Sequence, residues 1–415
     1  MTRHLLRLVW NRKRQNLLLA FEIFLSFLVL FTVVFFSFSY YSNWRQPLGF
    51  DVARLWTIAV RFPTSGPAGE GAPAAVVAAR AEAARRFQQI YAALDDLPNV
   101  EISAGSWPAV PYGRGGWTTR VGDERRAQTS GNMVTDEFAD VVGMELVAGR
   151  WFAREDDAAT WIPIVINQRL AGELFDEGNP LNKELPPVQA MSGTNRRMRV
   201  IGVVSDFRQE GELAPPGNYT FFRMRKDDPT GDVLPNGLVI RVTADTTAEF
   251  EPILAKTLES VAPDWTFEVR PIDGVREAML RSWMLPLITF AVIAGFLLLM
   301  VALGLTGVVW QSVTRRTQEF GLRRAKGATV PNVQRQVLSE LLLLTSMAVV
   351  LGVALVAQVP VLPLRDMELP DPPATIWLSS IAVSVTVIYL LTLLCAWYPS
   401  RLATRIQPAE ALHYE

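Results

Sequence analysis

Four long apolar runs constrain this chain more than any other feature. Residues 17–41 carry Glu22 as their only charge, and residues 285–311, 341–364 and 374–399 carry none. Crossing about 30 Å of hydrocarbon at about 1.5 Å per residue takes roughly 20 apolar residues, so each run is long enough to span a bilayer. Half of the 415 residues are hydrophobic, more than a soluble protein of this size needs, and the excess is gathered in these runs. The sequence predicts transmembrane helices over 17–41, 284–311, 337–364 and 374–399.

Charge fixes the expected orientation. Residues 1–16 carry Arg3, Arg7, Arg12, Lys13 and Arg14, the 312–336 connector carries Arg315, Arg316, Arg323, Arg324, Lys326 and Arg335, and the 400–415 tail carries Arg401 and Arg405. The short 365–373 loop holds Arg365 alone, among Asp366, Glu368 and Asp371. Lys and Arg stay in short cytosolic loops because their translocation is costly and anionic headgroups hold them. Both termini and the connector are therefore expected in the cytosol, with 42–283 and the 365–373 loop outside it. Residues 1–16, with Leu5, Leu6, Leu8, Val9 and Trp10 among their bases, form either an interfacial amphipathic helix or a plain basic flank. The first apolar run is too long for a cleaved signal peptide. The lone Cys395 sits in the last run, so the outer domain has no internal disulfide.

The outer segment repeats one order of elements. Residues 55–60, 75–94 and 100–103 read as strand, helix, strand, and 238–242, 247–261 and 266–269 read the same way. Two such units share one sheet in a split ferredoxin-like subdomain, here predicted from 50–111 and 236–272. Between them, 112–235 reads as an inserted, mostly β subdomain with one short helix near 168–175. The Pro- and Gly-rich stretches 62–74 and 208–218 are expected to be mobile loops.

Several chemistries are disfavoured. No Gly-Lys-Ser/Thr phosphate loop surrounds any of the five lysines, and the two histidines, His4 and His413, lie at the termini. Glu155-Asp156-Asp157 is expected to be a solvated turn or helix start, Asp206 to cap its own turn, and Gly113-Arg114-Gly115-Gly116 to be a flexible loop. Glu22 and Glu340 lie near the ends of apolar runs, where pairing with connector arginines is preferred over an ion path. Cys395 reads as a packing residue. No catalytic, metal-binding or cofactor-binding residues are assigned, and substrate-binding residues stay unknown.

The connector 315–329, RRTQEFGLRRAKGAT, and the tail, Tyr398-Pro399-Ser400-Arg401-Leu402-Ala403 followed by Pro408-Ala409-Glu410-Ala411-Leu412, resemble the MacB/FtsX-type ABC transporter permeases. Weaker matches are Ala148-Gly149-Arg150-Trp151-Phe152, Val165-Ile166-Asn167, Asn179-Pro180-Leu181 and Val200–Phe207. The resemblance implies an α+β membrane protein in a bacterial inner membrane: four transmembrane helices and a large extracytoplasmic α+β domain, with a split βαβ base and an inserted mostly-β subdomain. It further implies a cytosolic coupling helix that receives force from a separate ABC ATPase. Glu319, Phe320, Gly321, Leu322, Arg323, Arg324, Lys326 and Gly327 would form the contact. ATP and Mg would be bound by that partner, since no ATPase domain is expected in this chain. Four spans imply a second copy or a related permease. Whether a periplasmic adaptor and an outer-membrane channel complete the pathway stays open. The expected activity is export or extrusion of substrate. The alternatives are an FtsX-like regulator that activates a cell-wall hydrolase and a Lol-like lipoprotein-releasing permease.

Overall fold

The computed structural model describes residues 13–63, 73–113, 115–122, 126–176, 178–186, 196–315, 330–360 and 373–403. They divide into two compact units: residues 1–41 with 284–415, and residues 42–283.

In chain order the elements are helix α1 (Lys13–Trp44), β1 (Leu55–Arg61), α2 (Ala74–Asp95), β2 (Val100–Trp107), β3 (Trp117–Val121) and β4 (Ala127–Val134). They continue with α3 (Phe138–Val142), β5 (Leu146–Gly149), a 3₁₀ turn at Arg154–Ala158, β6 (Ile162–Asn167), α4 (Gln168–Phe175), β7 (Glu184–Leu185), β8 (Met198–Val204) and β9 (Tyr219–Arg223). The chain then forms β10 (Gly237–Val242), α5 (Phe250–Val261), β11 (Thr266–Pro271), α6 (Ile272–Arg315), α7 (Val330–Gln358) and α8 (Ala374–Ala403).

The helical unit holds parts of α1 and α6 together with α7 and α8. Each of these four helices contains a stretch long and apolar enough to cross a membrane: Leu17–Trp44, Ile272–Gln311, Leu338–Gln358 and Ala374–Trp397. Ile23 and Phe27 of α1, Val301 and Leu305 of α6, Leu344 and Ala348 of α7 and Ile388 of α8 share one buried cluster. Gly352 lets α7 approach α1 closely, since a Cβ there would lie 2.4 Å from the Phe27 ring. Thr345 bonds Thr392 at 3.2 Å and Ser346 bonds Tyr389 at 2.7 Å, joining α7 to α8 through side-chain hydroxyls. Apolar side chains such as Leu285, Val292, Phe296 and Leu303 remain exposed along α6, as suits a surface that hydrocarbon covers.

The second unit is built on one mixed sheet ordered β11-β1-β10-β2-β4-β9-β6-β8-β5, with β3 paired to β4 and β7 to β8. Its first four strands are antiparallel throughout, and the order fourth-first-third-second is that of a split βαβ pair. Alternation along β1 explains how two layers cover it. Trp56, Ile58 and Val60 pack with Phe87 and Ile90 of α2 and Leu254 and Leu258 of α5. Leu55 points into the opposite cluster, with Phe138 and Val141 of α3 and Ile272 and Met279 of α6.

The 112–235 insertion extends the same sheet. Its seam with the base is short: only Ser106↔Val134 and Trp107↔Met133 register between β2 and β4. Beyond the seam, β4 runs parallel to β9 and β6 parallel to β8, and α4 buries Leu170 and Leu174 against Ile164, Ile166 and Val200. The insertion also holds α3 and the 3₁₀ turn, elements whose five-residue lengths leave no readable periodicity.

Two expectations are corrected. Residues 208–218 are no mobile loop: Arg208, Gln209, Glu212, Leu213 and Ala214 are all buried. The Pro and Gly residues there shape a packed strap that hydrogen bonds join to Asn43, Gln46 and Tyr112. The helix following β11 also begins at Ile272, well before the apolar run. Residues 272–283 bury Ile272 and Met279 and place Glu277 2.8 Å from Arg281 at i,i+4 spacing, a helical pattern that a hydropathy boundary misses. Of the stretch 62–74, residues 64–72 lie outside the described residues.

Candidate coupling site

The contact residues expected on the connector, Glu319, Phe320, Gly321, Leu322, Arg323, Arg324, Lys326 and Gly327, lie outside the described residues. Inside the sheet unit, a buried polar knot gathers the chain segments that enter and leave it.

Arg208 is the centre of this knot, at 1% exposure. The sequence brings it there because Phe207, fully buried among Phe50, Tyr219 and Phe221, anchors the strap beside it. Arg208 Nη1 donates to Asn43 O at 2.7 Å and Gln46 O at 3.2 Å, and Nη2 donates to Glu212 O and Ala214 O. Asn43 Nδ2 returns a bond to Leu213 O at 2.9 Å. The last turn of α1 is thus tied to the strap by side chain and main chain together. Burial pulls the Arg208 guanidinium below its ordinary value, partly offset by the negative charges of Glu212 and Asp206.

Glu212 links the knot to α6. Its Oε1 accepts from Arg276 Nε at 2.6 Å and from Tyr112 Oη at 2.9 Å, and the Arg276 guanidinium stands 6.0 Å from the Trp44 ring centre. Burial, then the Glu212 charge, pushes the Tyr112 phenol far above its usual value. Tyr112 adopts φ +59, a left-handed conformation that costs about 1–2 kcal/mol in a non-glycine residue. Its ring leaves no room for a side chain at Gly211, where a Cβ would lie 2.6 Å from Tyr112 Cε1. Main-chain bonding of Tyr112 N to Gln209 O at 2.7 Å holds the residue in place. Gln209 also donates to Gly113 O and Gly115 O and accepts from Asn132. The loop expected to be flexible around Gly113 is therefore pinned by a buried amide.

In the acidic triplet Glu155 and Asp157 are exposed, as expected, and Asp156 alone departs from a solvated turn. Asp156 is 5% exposed and accepts from both terminal nitrogens of Arg150 and from Ala153 N. Asp157 pairs with Arg223, which also grips Asp136 through two bonds. These acids order the insertion, and the helix-start half of the expectation holds as a 3₁₀ turn. Asp206, just past the end of the neighbouring strand β8, caps α4 rather than only its own turn: its Oδ1 accepts from Arg169 N and from Asn167 Nδ2, both at 3.1 Å. In the helical unit, Glu22 places its carboxylate beside Gly304 of α6.

Sequence reasoning missed Arg208, Glu212, Tyr112 and Arg276. Their pairings bridge up to 165 residues, and no local spacing signals such contacts. The available hint was an Arg next to Phe207 in a stretch otherwise marked only by turn residues.

A split βαβ sheet domain joined to four membrane-length helices defines an integral membrane protein with a large extracytoplasmic domain. Comparison with known proteins places it further. The profile of the MacB-like periplasmic core domain matches residues 25–256, more than half of the chain, and that of the FtsX-like permease C-terminal matches residues 291–408. The chain belongs to the MacB/FtsX-type ABC permease family. It is 25% identical over 338 residues to a macrolide export ATP-binding/permease protein MacB of Azoarcus sp. (strain BH72), covering 78% of this chain and 47% of that protein. It is 27% identical over 303 residues to the uncharacterized ABC transporter permease YvrN of Bacillus subtilis (strain 168), covering 68% and 69%. The chain spans about half or less of the length of the curated MacB relatives it matches, 34% to 48%. The periplasmic region of MacB from Actinobacillus actinomycetemcomitans aligns with a TM-score of 0.35 at 15% identity, covering 56% of this chain and 94% of that one.

Proposed function

We propose that the chain is a permease subunit that carries ATP-driven motion of a separate ABC ATPase to its extracytoplasmic domain, which extrudes substrate outside the cytosol. One observation carries this reading: α6 is a single helix from Ile272, directly after β11 of the base, to Arg315 at the start of the basic connector. Such a helix transmits a displacement along its axis that a loop would absorb. The knot at Arg208 and Glu212 supports it by fixing the last turn of α1 and the first turns of α6 to one strap.

In this reading the connector and both termini face the cytosol, and the connector residues from Glu319 to Gly327 meet the ATPase, which binds ATP and Mg. A second copy or a related permease completes the transporter, and an adaptor with an outer-membrane channel extends it where an outer membrane exists. The names of the MacB relatives point to export rather than to hydrolase regulation or lipoprotein release.

The test is reconstitution of the full chain with its ATPase in lipid vesicles. Substrate-stimulated hydrolysis with cargo movement is expected. Replacing Phe320 or Gly321 should uncouple hydrolysis from that movement while expression stays normal. Unchanged coupling would remove both positions from the contact. A co-purifying cell-wall hydrolase without cargo movement would replace transport by regulation.

A further inference from the structure

The knot is not evenly satisfied. All four hydrogen bonds of Arg208 go to main-chain carbonyls, and its Nε is buried without a hydrogen-bond partner. Glu212 concentrates both of its bonds on Oε1, and its Oε2 is likewise buried without one. A buried guanidinium hydrogen-bonded only to neutral carbonyls has no direct ion pair, and the nearby charges of Glu212 and Asp206 offset its burial only in part. The one carboxylate in this knot stands on the residue whose carbonyl Arg208 already holds. Each orphaned atom carries a desolvation cost, which an arrangement joining the Arg208 Nε to the Glu212 carboxylate would remove.

We propose that Glu212 is a two-position latch, exchanging its ion pair with Arg276 on α6 for one with Arg208 on the strap, so that the first turns of α6 are alternately clasped and released. In the clasped position shown by the structure, Tyr112 Oη and Arg276 Nε hold Glu212 Oε1. In the released position the carboxylate turns to the Arg208 Nε, Tyr112 loses its acceptor, and Arg276 is left beside Trp44. Arg208 stays fixed to the end of α1 in both positions, so the exchange frees α6 alone. Glu212 and Arg276 are positioning residues in this scheme. The inference deepens the transport reading, since a latch has a use only where the external domain moves.

The experiment needs neither ATPase nor cargo, so its outcome is independent of that reading. Hydrogen exchange of the amides of residues 275–282 and thermal unfolding are measured on the full chain in lipid nanodiscs. For a latch, Arg276→Gln leaves Glu212 compensated by Arg208. The unfolding midpoint then falls by no more than about 3 °C, while exchange at 275–282 rises about tenfold. Arg276→Lys restores protection to within about twofold of the native chain. Tyr112→Phe, which removes the other bond to Oε1, raises exchange at the same amides several-fold with Arg276 in place. Glu212→Gln deprives both arginines of the acid and lowers the midpoint more than Arg276→Gln does. A fixed pair behaves differently: Arg276→Gln strands a buried carboxylate, its midpoint falls as far as that of Glu212→Gln, and exchange rises across the whole sheet unit. That pattern overturns the latch. If Glu212→Gln does not fold, the other variants decide: no local rise with Arg276→Gln and with Tyr112→Phe overturns it equally.

Discussion

A carboxylate survives burial only in exchange for strong partners, and Asp156 shows which side of that balance wins. Burial alone pushes its carboxyl up, but the Arg150 guanidinium, the Ala153 N–H and the Arg223 charge outweigh burial and hold it below the usual carboxylate range. The Asp156 side chain is 1% exposed while that of Arg150 is 44% exposed, so solvent screens the arginine half of the pair. Asp156→Ala should therefore cost about 2 kcal/mol, the value of hydrogen bonds to a charged group rather than of a fully buried pair. The sign of the pH dependence follows from the depressed value. The contribution is fully present above the unfolded carboxyl range, about pH 4, and fades as pH falls through the lower folded value. Denaturation of native chain and variant at neutral pH and at stepwise lower pH should show the gap closing in acid. A gap that widens in acid contradicts the assignment.

Elements tell where sequence legibility ends. The four apolar helices and the two βαβ halves were readable, because runs of more than 20 residues and repeated strand-helix-strand order are local signals. The helix at Gln168–Phe175 was readable too, and in the structure Asn167 caps it by accepting from Leu170 N. The strap at 208–218 was not. Its Pro and Gly content marks turns, whereas its burial arises from contacts with Asn43, Tyr112 and Arg276 that only the folded chain brings together. The contact set on the connector came from family resemblance. The start of α6 was missed for a different reason: its first turns are polar on one face and end at an apolar run, so composition changes where structure does not. That continuity is testable. Ala278 is exposed in those turns, so Ala278→Pro adds no buried side chain but should break the helix there, at a cost of about 3 kcal/mol. In reconstituted vesicles it is expected to leave ATP turnover intact and to abolish extrusion. Retained extrusion would show that α6 does not carry the motion.

For the whole molecule the orientation is the first matter to establish. Cys395 is the only cysteine, so a Cys395→Ser chain accepts single reporter cysteines cleanly. With Ser65→Cys in the outer segment and Thr317→Cys in the connector, a membrane-impermeant maleimide should label the former in intact cells and the latter only after permeabilisation. The reverse pattern would place the connector outside and end the coupling reading.

The strand order of the base has a consequence for how the protein is made. β1 pairs with β10 and β11 and has no pairing with β2, so its partners arrive only after the entire insertion has left the ribosome and crossed the bilayer. The first strand to emerge is also among the most apolar, and it waits with both edges bare while the later lobe takes shape. Biogenesis of this permease therefore depends on shielding one short hydrophobic strand from its neighbours until the last stretch of the outer domain arrives to close it.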